Sequence, residues 1–144
     1  MEFVNLFGMA FLAVIMIPNI VFAVKCKDGF ANKVQNKRVE MIEQIGRFGC
    51  FGFMVIQIPG VCFGWPSDEA FAVYLIVNAL LVLAYCIAWV ILWKSRSMLR
   101  ALMLSGLPSI VFLFSGVMTR SVLLILSALL FAPAHIWISC KNVQ

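Results

Sequence analysis

The chain has 144 residues, 64% of them hydrophobic and 12% charged, with a mean hydropathy of +1.05. Soluble domains carry about 25% charged residues, so this composition excludes a water-soluble globular fold, and no polar stretch longer than residues 25–47 exists in which a separate water-facing core could form. The net charge of +5 lies in short segments between apolar runs, where basic residues set membrane orientation and meet lipid headgroups, and this excludes nucleic acid as a partner.

The first apolar run, residues 4–24, has 21 residues, enough at about 1.5 Å per residue to cross a hydrocarbon core of about 30 Å. It follows Met1-Glu2 without the basic n-region of a signal peptide, and Lys25 and Lys27 come after it. That charge order predicts a retained anchor with its N-terminus outside. In residues 25–47, Val34, Met41, Ile42 and Ile45 share one helical face, while Lys33, Lys37, Glu40, Glu43 and Gln44 occupy the rest. The pattern predicts a short amphipathic helix on the inner surface, capped by Asn32 and braced by a Glu43–Arg47 i,i+4 pair.

The second span is expected over residues 46–65, interrupted by Pro59 and closed by the acidic turn Pro66-Ser67-Asp68-Glu69. A third, over residues 70–93, contains no Gly or Pro. Beyond the basic loop at 94–100, the chain is apolar to its end apart from Arg120 and Lys141. An arginine at bilayer centre costs about 2.5–3.5 kcal/mol, whereas at a turn it costs little. Two spans are therefore predicted, 101–118 and 121–140, with Gly116 as terminator and Thr119 or Ser121 as the next N-cap; a re-entrant hairpin is the alternative. The expected fold is an all-α polytopic bundle, one domain over residues 1–144 with five transmembrane helices, N-terminus out and C-terminus in. Ten of the eleven basic residues then lie inside, as the positive-inside rule requires. Trp65, Trp93 and Trp137 fall near span ends, with Trp89 one turn inward.

No Asp, Glu, Lys or Arg falls inside a predicted span, which argues against a proton- or cation-coupled pump. Pro18-Asn19, Pro108 between Ser105 and Ser109, and Pro133 beside His135 lie at similar depth from the inner ends. Asn19, Ser105, Ser109 and His135 are therefore candidates for lining a polar cavity that opens inward; the plainer reading is interhelical hydrogen bonding. His135, the single histidine, is the one side chain in the spans of a type that titrates near neutral pH, and it shows no carboxylate partner in its layer.

Gly46, Gly49 and Gly52, with Gly60 and Gly64, mark a candidate close-packing face on the second span, within the bundle or between protomers. The five cysteines, Cys26, Cys50, Cys62, Cys86 and Cys140, lack metal-ligand spacing and read as small apolar packing residues. No motif for nucleophilic catalysis, phosphate binding or a cofactor is present, so no enzyme, metal or cofactor is expected.

The number of spans and the out-to-in order resemble the tryptophan-rich sensory protein, or translocator protein, family of five-helix membrane proteins. That family's tryptophan- and proline-rich first-loop motif has no counterpart in residues 25–47, which contain neither residue, so no ligand or site is carried over. Two functions are expected from the residues. One is a small transporter or ligand-binding protein of a bacterial plasma membrane, its ligand unidentified. The other is an accessory or scaffold subunit packing through its glycine-rich span against a larger membrane partner or a second copy.

Overall fold

The computed structural model describes residues 4–25, 37–58, 60, 62–63, 65–93 and 98–143. These form five helices: α1 Leu6–Lys25, α2 Lys37–Val55, α3 Asp68–Leu92, α4 Met98–Met118 and α5 Val122–Val143. Three of them, α3, α4 and the Val122–Lys141 part of α5, are long and apolar enough to cross a membrane; α1 contributes a shorter apolar stretch, Leu6–Phe22.

The helices alternate in direction, and their ends are tied at one pole. There Asn5 N–H donates to the Val55 carbonyl at 2.6 Å, and Val4 and Ile56 form an antiparallel bridge, as do Cys62 and Ser121. The Arg120 guanidinium donates to the Phe63 carbonyl at 3.0 Å. This pole carries Asp68, Glu69 and Arg120; Lys25, Lys37, Arg38, Arg100 and Lys141 lie toward the opposite one. Helix α5 packs on α2 and α4, α4 on α3, and α1 leans against α3 and α2. The core joins Met54, Tyr85, Val111, Phe112, Leu124 and Phe131.

The break at Arg120 has a clear local cause. Ser121 N–H bonds the Gly116 carbonyl at 2.9 Å and Arg120 N–H the Val117 carbonyl at 3.2 Å, the paired bonds of a Schellman cap with Arg120 in the left-handed region at φ 52°. Ser121 then caps α5 by accepting from Leu124 N–H at 3.3 Å. Gly116 does not terminate α4, which runs on to Met118. A Cβ there would lie 2.9 Å from Ile125 Cγ1, so the glycine instead lets the start of α5 fold back closely. With 21 and 22 residues, α4 and α5 each reach about 32 Å.

The helix expected over residues 46–65 is displaced. Helix α2 begins at Lys37 and runs unbroken through the Gly46–Gly52 stretch, so over the described residues there is no boundary between a surface helix and a span. It stops at Val55 rather than 65. Proline disfavours helix at the residue before it, Gly60 sits at φ 93°, and the chain from Ile56 onward bonds across the pole instead of to itself. Asn32 and Val34 lie outside the described residues, as does Gly64. Ser67 caps α3, accepting from Ala70 N–H at 3.1 Å, with Asp68 and Glu69 favourably placed in its first turn.

Candidate functional site at the α2–α5 seam

An unbroken α2 changes which residues share a face. Its buried positions are Glu43, Gly46, Cys50 and Met54, a three-and-four spacing that places a carboxylate at the head of the glycine stripe. On α5 the facing ridge is Ser127, Phe131 and His135, spaced by four. A Cβ on Gly46 would lie 2.6–2.7 Å from Phe131 backbone and Cβ atoms, and one on Gly49 would strike the Ser127 hydroxyl. The helices therefore meet in antiparallel register, Gly49 on Ser127, Gly46 on Phe131 and Glu43 on His135.

Glu43 is 4% exposed. Its Oε1 lies 3.3 Å from His135 Nδ1 and accepts from the Arg47 guanidinium one turn along. Phe131 stacks on the imidazole, centroids 4.6 Å apart and planes 17° from parallel. Each part positions the next: glycine admits the Phe131 backbone, Phe131 fixes the ring plane, and the ring presents Nδ1–H to the carboxylate. The expectation of a histidine without a carboxylate partner is thus corrected. Periodicity put Glu43 on the wet side of a separate surface helix; extending the Gly46 face back by three residues finds it.

Glu43 lies on the charged half of α2, ahead of its apolar half.

The other candidate residues have separate partners. Asn19 donates to the Ile15 carbonyl at 2.9 Å and the Tyr85 hydroxyl at 2.8 Å, joining α1 to α3. Ser109 donates to the Ser105 carbonyl at 2.8 Å, and Ser105 to the Ala101 carbonyl, both within α4. Gly52 and Gly60 have open space where a Cβ would stand.

A buried polar group also lies at the acidic pole, where Asn5, Gln57 and Asn78 are polar residues at depth within the apolar sequence. Asn5 caps α1, accepting from Gly8 N–H at 3.0 Å, and donates to the Tyr74 hydroxyl at 3.0 Å. Tyr74 also hydrogen-bonds Ser115, whose hydroxyl accepts from Asn78 at 3.0 Å. Gln57 Nε2, Trp65 Nε1 and Asn78 Oδ1 are buried there without a hydrogen-bond partner among the described residues. Removing the hub, Y74F, strands the Asn5 amide and should cost about 1–3 kcal/mol, measurable as lost thermal stability beside an N5A control that removes the stranded donor.

No protein-family model, curated protein or solved structure matches the chain. The likeness to the translocator-protein family is one of helix number.

Proposed function

We propose that this chain is a small multi-pass transporter of a cell membrane, crossing five times with its basic pole inside, in which a proton is bound and released at His135 and the ligand path opens inward. The observation that supports it is the buried Glu43 carboxylate on His135 Nδ1, at the closely packed α2–α5 seam. Ionisable groups inside membrane proteins are costly and mark ion paths and proton relays. Histidine is the side-chain type that gains and loses a proton between about pH 5 and 8. Glu43 acts as the positioning residue, its carboxylate accepting from the imidazole Nδ1–H and so fixing the ring's orientation. Arg47, one turn along α2, donates to the same carboxylate. The concentration of basic residues at the His135 pole supports the orientation.

The scaffold reading has less support. Gly46 and Gly49, its main packing residues, are occupied by α5 of the same chain.

Reconstitution in vesicles holding a pH-sensitive dye, with a potassium diffusion potential as driving force, tests the proposal. Wild type should shift the internal pH; H135F should abolish this, E43Q should lower the rate by at least about a hundredfold, the scale of a lost proton-transfer contribution, and G52A should leave it intact. Equal rates in wild type and H135F would overturn it.

A further inference from the structure

Over their basic half the parallel helices α1 and α3 meet through Asn19, Phe22, Tyr85 and Trp89 and leave a groove beside that contact. Between Val14, Ile17 and Val21 on one side and Trp89, Val90 and Trp93 on the other runs a cavity of about 340 Å³. It continues past Val21, Val90 and Trp93 into a mouth of about 530 Å³ whose wall includes Lys25. The walls are apolar through the depth of the groove and cationic at its end. From Val14 to Lys25 the groove follows α1 for about 16 Å, close to half of a hydrocarbon core of about 30 Å, so it spans one leaflet. Behind it Phe22 packs on Trp89 and Trp93 with centroids 4.9 and 5.1 Å away, and the Arg100 guanidinium lies 4.7 Å over the Phe22 ring. A second positive charge, fixed by two aromatic faces, thus stands behind the groove.

We propose that this groove is a binding site for one anionic phospholipid of the inner leaflet, its acyl chain along Val14–Trp93 and its phosphate on Lys25. The occupant follows from three matches: an apolar groove that reaches about one leaflet with its mouth, a cation at the mouth where a headgroup phosphate would sit, and Trp93 at that mouth, near the headgroup level where indole rings prefer to lie. Basic pockets between membrane helices hold acidic headgroups in this way. The site is separate from the α2–α5 seam and lies on the other side of α3.

The test uses Trp89 and Trp93 as reporters in a W65F/W137F protein reconstituted in phosphatidylcholine vesicles. Bromine-labelled phosphatidylglycerol and bromine-labelled phosphatidylcholine are compared as quenchers at equal mole fraction. The anionic lipid should quench more strongly, with a relative affinity that drops about fivefold in K25Q, the effect of one lysine near a membrane surface, and that is unchanged in K141Q. Equal quenching by the two lipids, or a preference that survives K25Q, overturns the site. A protein that fails to float with the vesicles overturns the membrane reading itself, and the proton-flux result is independent of either lipid outcome.

Discussion

Replacing Gly46 with leucine is expected to cost about 3 kcal/mol or more, the upper range for overpacking a close contact. The first added carbon would already stand 2.6 Å from Phe131 N and 2.7 Å from its Cα, atoms of a helix backbone that cannot rotate away. The seam must open, and with it the stack that orients His135. G46A should be milder and of the same sign. G52A supplies the contrast: no atom lies within 4 Å of its added carbon, and alanine is favoured over glycine within a helix by about 0.5–1 kcal/mol, so this variant should be slightly stabilised. Thermal unfolding of the three variants in one detergent checks the order, and equal loss in G46A and G52A would deny the close crossing.

The second large effect belongs to Glu43. E43A leaves Arg47 and His135 facing a gap at the seam and is expected to cost about 2 kcal/mol. That lies below the 3–5 kcal/mol typical of breaking a fully buried pair, because Arg47 and His135, at 35% and 24% side-chain exposure, are only partly buried. E43Q retains an acceptor and should cost less. The double variant E43L/H135F separates scaffold from mechanism. Apolar replacement of a buried pair is often neutral in stability, so folding should recover while proton flux does not. Recovery of flux in that variant would reduce the pair to a structural clamp.

The helical plan was readable from hydropathy and from one charge. Arg120 marks the α4–α5 turn because its guanidinium has to reach a polar partner, and it finds the Phe63 carbonyl across the pole. Ser121 announces α5 because a hydroxyl there satisfies an otherwise unpaired N–H, and Ser67, read only as part of a polar turn, does the same for α3. Helix α2 was misjudged for a reason of the same kind. Charge density at Lys37, Arg38, Glu40, Glu43 and Arg47 reads as water contact, yet only one face of a helix needs to be wet, and continuity into the glycine stripe turns Glu43 inward. The long-range pairings Asn5 with Tyr74 and Asn19 with Tyr85 were beyond the sequence, since parallel α1 and α3 meet through a register that no local pattern encodes.

The proximity of Glu43 and His135 is most directly tested by a solid-state NMR distance measurement in lipid. Because the chain holds one histidine, ¹⁵N-histidine with ¹³Cδ-glutamate labelling reports on a single imidazole. With Nδ1 3.3 Å from the Glu43 carboxylate oxygen, strong dephasing between Nδ1 and one carboxyl carbon is predicted, and it should vanish in E43Q. Absence of that dipolar coupling in the wild-type protein, or its persistence in E43Q, would contradict a carboxylate seated on the histidine inside the bundle.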